Sequence, residues 1–217
     1  MTLLHSLARR LGVARPAETP RWVVLDVESS GLDPATDRLL AIAAIAVRTD
    51  GARPRIALGD SFEVVLRHDA PVADKGNILL HGIGVGAQRR GVDPARALHG
   101  FMHYVGASPL IAFHAAFDRA LLLRTCDATA ITRPSNPWLD LEPLAAVLHP
   151  QSRARSLDEW LAQMQIHCAV RHQAAADALA TAELLLKLWP AVAAELGGGA
   201  GFAAAQKLAA RRKWLAT

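Results

Sequence analysis

The chain has 217 residues, 52% hydrophobic and 20% charged, which suits one domain with modest additions and excludes a disordered chain. No run approaches the eighteen or so uninterrupted apolar residues of a membrane span. Arg9 and Arg10 follow the short N-terminal apolar run instead of preceding it as in a signal peptide, so the expected location is cytoplasmic. The net charge of +4 is compatible with a polyanionic partner without requiring one. The two cysteines, Cys126 and Cys168, form neither a Cys-x-x-Cys pair nor a zinc spacing.

In chain order, residues 1–20 read as a short amphipathic helix (Leu3 to Leu11) and a proline-bearing linker. A core of residues 21–190 follows. Trp22 to Glu28 is an apolar, β-branched run closed by Ser29-Ser30-Gly31, the pattern of a buried strand and a turn. Leu39 to Val47 and Asp60 to Leu66 read as two further strands, joined by a polar hairpin loop from Thr49 to Arg55. Pro94 to Val105 reads as a helix, Leu110 to Phe113 as a short strand, and Ala116 to Arg124 as a helix. Trp138 to Leu141 reads as a last strand. Ser156-Leu-Asp-Glu159 matches a capping box and opens a helix to about Gln165. A long Ala- and Leu-rich helix runs from about Ala174 to Trp189. Residues 191–217 hold a Gly-rich break, Gly197 to Gly201, and a basic tail with Lys207, Arg211, Arg212 and Lys213. The tail is either a loose solvated helix or a contact for nucleic acid or a protein. Strands come first and then alternate with helices, so the fold class is α/β, a mixed sheet flanked by helices.

Asp26 and Glu28 stand two apart in a strand, so their side chains share a face. Two carboxylates side by side on an apolar strand repel each other and lose hydration. A divalent cation relieves both problems, and oxygen-only ligands favour Mg²⁺ or Mn²⁺. The bland alternative is a strand that ends at Leu25 and leaves both acids in solvent. Asp177 lies in a helix that is apolar nearly all round and hence largely buried; a carboxylate there needs a partner. Asp118 opens another helix, where the helix dipole alone accounts for an acid. His172 is one of nine histidines, distinguished by its place five residues before Asp177.

At this point the sequence resembles the DEDD exonucleases, in the subgroup with a catalytic histidine (DEDDh). Proofreading subunits of the bacterial polymerase III epsilon type and ribonuclease T belong there. The family motif Asp-x-Glu-Thr-Thr-Gly is matched by Asp26-Val-Glu28-Ser29-Ser30-Gly31-Leu32. Asn-x-x-Phe-Asp is matched by His114-Ala-Ala-Phe117-Asp118, and His-x4-Asp by His172 to Asp177. Asp37-Arg-Leu-Leu40, His81-Gly-Ile83 and Ser156-Leu-Asp158 fall at family-like places. Serines replace two threonines, and His114 replaces the usual Asn.

The resemblance implies a ribonuclease H-like fold and two Mg²⁺ or Mn²⁺ ions about 4 Å apart. Asp26 would bridge both, Glu28 and Asp177 would hold the ion that activates water, and Asp118 would act through a water shell on the other. His172 would be the general base, a role worth on the order of 10²–10⁴-fold in rate. Ser29, Ser30, Gly31 and Leu32 would cup the terminal nucleotide. His81 and Ile83 would line its base or sugar, and His114 would alter how the strand is held. The implied reaction is 3′→5′ hydrolysis of single-stranded nucleic-acid ends to nucleoside 5′-monophosphates, on DNA ahead of RNA, with a polymerase or other protein as a possible partner and no membrane.

Two other readings compete. A non-catalytic nucleic-acid-binding accessory subunit could keep the same fold. A Gly-x-Gly-x-x-Ala match at Gly82 to Ala87 would suit a dinucleotide loop, provided a strand precedes it and a helix follows.

Overall fold

Trp22, Val24, Asp26 and Glu28 point one way from strand β1 (Arg21–Ser29), and Val23, Leu25 and Val27 point the other. Both sets are covered, which is why the run is apolar on both faces. The computed structural model describes residues 20–50, 53–71, 74–197 and 201–212. The expected helix at Leu3–Leu11, the middle of the Gly-rich break and the chain beyond Arg212 lie outside the described residues.

β1 is the centre of a five-stranded sheet of order β3-β2-β1-β4-β5. Strands β2 (Leu39–Arg48) and β3 (Arg55–Val65) extend it as an antiparallel meander. Strands β4 (Leu110–Ala112) and β5 (Trp138–Asp140) are short and parallel to β1. β3 begins five residues before the expected Asp60, because Arg55 to Ala57 pair with Ala46 to Arg48 beyond an irregularity at Ile45/Ala46.

The helices, in chain order, are α1 (Lys75–His81), α2 (Val85–Arg90), α3 (Pro94–Val105), α4 (Ala115–Ala128), α5 (Leu141–Leu148), α6 (Leu157–Gln163), α7 (Ala174–Glu195) and α8 (Phe202–Ala209). Phe101 and Val105 of α3 and Leu121 and Leu122 of α4 pack against Val23, Leu25 and Val27 on one sheet face. Leu184, Leu185 and Leu188 of α7, with Leu144 of α5 and Trp160 of α6, pack on the opposite face against Trp22 and Val24. Among the described residues, no helix is long and apolar enough to cross a membrane.

The structure departs from the sequence reading at four further places. The dinucleotide-loop reading fails: Gly82 closes a helix, α1, where a strand is required, and Gly84 caps α2. The strand expected through Leu141 stops at Asp140, whose carboxylate accepts the Glu142 N–H and starts α5. Helix α7 passes Pro190 and continues to Glu195, held by buried Leu188 and Val192. The solvated reading of the tail gives way to packing. Phe202, Ala205 and Leu208 of α8 are buried, Phe202 meets Trp22 edge to face at 5.2 Å, and Gln206 Nε2 donates to the Trp138 carbonyl at 2.8 Å. That bond also occupies an edge strand that would otherwise be open.

Candidate active site

β1, β4 and β5 run parallel, so their carboxyl ends share one edge of the sheet, where ligands of open α/β sheets gather. Asp26 and Glu28 lie at that end of β1. They sit on the face covered by α7, one and two steps beyond Val24. Asp177 is in the first turn of α7, and Asp118 in the first turn of α4, directly after β4. Four carboxylates from three elements thereby enter one cavity of about 440 Å³. Its wall also includes Leu32, Phe113, His114, Phe117, Ser156, Leu157, Arg171 and His172.

Carboxylate oxygens of Asp26, Glu28 and Asp177 all lie within 4.8 Å of one another. Asp118 and Asp177 are buried. Burial, then the charges of Asp118, Asp177 and Glu28, hold the Asp26 carboxyl well above the ordinary carboxylate range. Burial and the Asp177 charge push Glu28 up to about 8, against the opposing charge of Arg171. Burial raises Asp118 to about 7 despite backbone hydrogen bonds that favour its charged form. Such groups bind protons unless a cation replaces them. Glu28 Oε1 is buried and has no hydrogen-bond partner among the described residues. An all-carboxylate donor set with an orphaned oxygen fits a hard divalent ion such as Mg²⁺ or Mn²⁺.

His172 lies at the cavity wall just before α7. Its backbone is left-handed (φ 61°), and its N–H donates to Asp177 Oδ2 at 3.1 Å. This one turn fixes the offset between histidine and acid that the sequence displays. His114, also left-handed (φ 57°), sits before α4. Its N–H donates to Asp140 Oδ1 at 3.0 Å, and its ring Nε2 contacts the Arg155 carbonyl at 3.1 Å. The ring packs edge-on against Phe113 at 4.6 Å. The imidazole thus ties α4 to the loop before α6.

The loop after β1 is bound to itself. Ser29 Oγ donates to the Gly31 carbonyl, and Ser30 Oγ donates to Asp37 Oδ1 at 2.8 Å. A Cβ on Gly31 would stand 2.5 Å from Asp37 Oδ2, so a larger residue there would displace the carboxylate that Ser30 Oγ and the Asp33 N–H hold. Leu32, 91% exposed, stands at the cavity lip. Asn77 of α1 donates to the Ser30 carbonyl and ties that helix to the loop. His81 and Ile83 lie outside the cavity wall. His81 is buried, with Nδ1 accepting the Ile83 N–H at 3.0 Å, and Ile83 packs on Leu40 and Ala41 of β2. Ser29, Ser30 and Gly31 likewise shape the neighbouring loop and are not among the residues that line the cavity.

Sequence reasoning missed Arg171 and Asp140. Arg171 ion-pairs with Asp177 Oδ1 and, through Nε, with Asp158 Oδ1. Its one sequence signal was a cation beside His172. Asp140 caps α5 and holds His114. Its one signal was an acid at a strand-to-helix junction.

Residues 23–185 match the exonuclease (RNase_T) family. The chain is 28% identical over 178 residues to "DNA polymerase III PolC-type" of Latilactobacillus sakei, covering 79% of this chain and 11% of that one. It is 30% identical over 195 residues to "DNA polymerase III subunit epsilon-like protein" of Rhodobacter capsulatus, covering 87% of this chain and 27% of that one. It thus spans roughly a tenth to a quarter of the length of these relatives. In fold it is similar to the nuclease domain of 3′hExo, a DEDDh family member bound to rAMP (TM-score 0.69, 14% identity, 80% of this chain and 94% of that one). It is also similar to E. coli exonuclease I in complex with a dT13 oligonucleotide (TM-score 0.68, 20% identity, 82% of this chain and 43% of that one).

Proposed function

We propose, on the premise that this chain belongs to the exonuclease (RNase_T) family, that it is a metal-dependent 3′→5′ exonuclease acting on single-stranded ends in the cytoplasm. DNA is favoured over RNA as substrate, because the relatives at 28–30% identity are DNA polymerase III proteins. A polymerase is the favoured protein partner for the same reason. The single observation that carries the reading is the convergence of Asp26, Glu28 and Asp177 oxygens within 4.8 Å, with Asp118 in the same cavity.

In this reading Asp26, Glu28, Asp118 and Asp177 are the ligands of two Mg²⁺ or Mn²⁺ ions. When bound, the ions would supply charge stabilisation for the phosphodiester and lower the pKa of water. Asp26, Glu28 and Asp177 form the tighter ligand set, and Asp118 acts from the side of α4. His172 takes a proton from the attacking water at a ring nitrogen. Its fixed backbone bond to Asp177 supports this role by holding the imidazole at the cavity wall. Leu32 at the lip and Phe113 and Phe117 in the wall give the terminal base and sugar apolar surface. The Ser29 to Gly31 loop shapes the adjoining face. His114, tied to Arg155 and Asp140, limits where the penultimate nucleotide can lie.

The test is digestion of 5′-labelled substrates: single-stranded DNA, a mismatched primer–template, and short RNA. Mg²⁺-dependent shortening of the DNA from its 3′ end, lost in Asp26→Ala and Asp177→Ala, is expected. Equal cleavage in EDTA contradicts the metal reading. Shortening of RNA alone turns the assignment to an exoribonuclease.

A further inference from the structure

We propose that Arg171 is a resident counter-ion of the carboxylate cluster, one that a divalent ion must displace from Asp177, so that this single side chain sets the site's metal affinity. The proposal rests on the metal reading above and concerns a residue that the reading does not use.

Both oxygens of Asp177 are engaged within the chain. The Arg171 guanidinium pairs with Oδ1, the Cys168 thiol donates to the same atom at 3.6 Å, and the His172 N–H donates to Oδ2. Glu28 Oε1, by contrast, has no hydrogen-bond partner among the described residues. A cation entering between Asp26, Glu28 and Asp177 therefore finds a free oxygen on one carboxylate and a protein cation on another.

The guanidinium is held for this position. The left-handed turn at His172 points residues 171 and 172 at the two oxygens of one carboxylate. Asp158, in the first turn of α6, grips the far side through Nε and, at 3.4 Å, through Nη2. Arg171 is only 23% exposed, and the planar fork of arginine can span two carboxylates where an ammonium cannot. Arg171 also lines the same cavity as the Asp26 and Glu28 carboxylates. Arg171 thus brings one positive charge to a cavity that holds the Asp26, Glu28 and Asp177 carboxylates. It shares the cavity wall, and its bond to Asp158 would keep it there after Asp177 is released.

The effect of Arg171 falls on metal binding, not turnover. Arg171→Gln removes the competing cation and should tighten Mn²⁺, measured by calorimetry without nucleic acid, by at least about tenfold. Tenfold corresponds to about 1.4 kcal/mol, the competition removed with the Arg171–Asp177 ion pair. In EDTA the variant should melt below wild type, and saturating Mn²⁺ should raise its melting temperature by more than it raises that of wild type. Arg171→Lys keeps the charge but loses the double grip, and should tighten Mn²⁺ by less. Asp26→Asn is the control, expected to lose Mn²⁺ uptake. A folded Arg171→Gln protein with wild-type or weaker Mn²⁺ affinity overturns the proposal while leaving the metal reading standing. If Arg171→Gln does not fold, an Arg171→Lys affinity no tighter than wild type has the same consequence. No Mn²⁺ uptake by wild type or either variant removes the metal reading, and the proposal with it.

Discussion

Replacing Glu28 by Gln should make the metal-free protein more stable while destroying its metal site. Glu28 is pushed from an ordinary 4.5 to about 8, first by burial and next by the Asp177 charge. Its folded-state pKa lies above the unfolded value, so the fold carries no penalty from this group below about pH 4.5 and is destabilised progressively as pH rises toward about 8. Taken alone, the shift costs about 3 kcal/mol at pH 7. Relaxation of the neighbouring carboxylates reduces this to about 1–3 kcal/mol. Glutamine keeps the shape and stays neutral throughout. At roughly 2–4 °C per kcal/mol for a chain of this size, Glu28→Gln should melt about 2–12 °C above wild type at pH 7.5 in EDTA, and close to wild type at pH 5. Thermal scans at the two pH values, with and without Mn²⁺, read this directly. The wild type should regain the difference on adding Mn²⁺, and the variant should not. A variant that melts at or below wild type at both pH values refutes the crowded-carboxylate argument.

Four further outcomes are expected. His172→Ala should lower kcat on single-stranded DNA by on the order of 10²–10⁴-fold with little change in melting temperature; full rate across pH 6 to 9 would assign His172 a structural role. Apparent Mn²⁺ affinity should rise from pH 6 to 8, since protons held by Asp26, Glu28 and Asp118 must leave; calorimetry in buffers of different ionisation heat counts them, and a flat profile contradicts the raised carboxylates. Gly31→Ala places a Cβ against the Asp37 carboxylate and should cost about 1–3 kcal/mol, measured by urea unfolding; Asp37→Ala in the same background should recover part of it. Phe202→Ala should cost about 3–5 kcal/mol if α8 belongs to the core through Trp22, whereas a merely solvated tail would leave the melting temperature unchanged.

Much of the site was legible because its members sit in strongly patterned elements. Asp26 and Glu28 alternate within an apolar strand, and Asp177 interrupts a helix that is apolar nearly all round. In both cases local periodicity predicts burial, and burial makes a carboxylate conspicuous. The fold class followed from the same periodicities. Helices α1, α2 and α5 escaped because they are six to eight residues long, too short to display a repeat. Asp74 caps α1 and Asp140 caps α5. The packing of α8 escaped because an Ala-rich basic segment reads as solvated until Trp22 is known to face it. Arg171 escaped for a similar reason. Its partners stand thirteen residues before it and six after it, and only the turn at His172 brings them together. His81 and Ile83 show the converse limit, since a motif match indicates a place in the chain and not what the side chain faces.

The four carboxylates are proposed to form a metal-dependent 3′-end nuclease site. The most direct measurement follows a 5′-labelled single-stranded DNA with the purified chain in Mg²⁺, in Mn²⁺ and in EDTA, beside Asp26→Ala. A ladder that shortens one nucleotide at a time is expected with either ion, and full-length DNA in EDTA and with the variant. Full-length DNA under every condition, or the same ladder in EDTA, would contradict this.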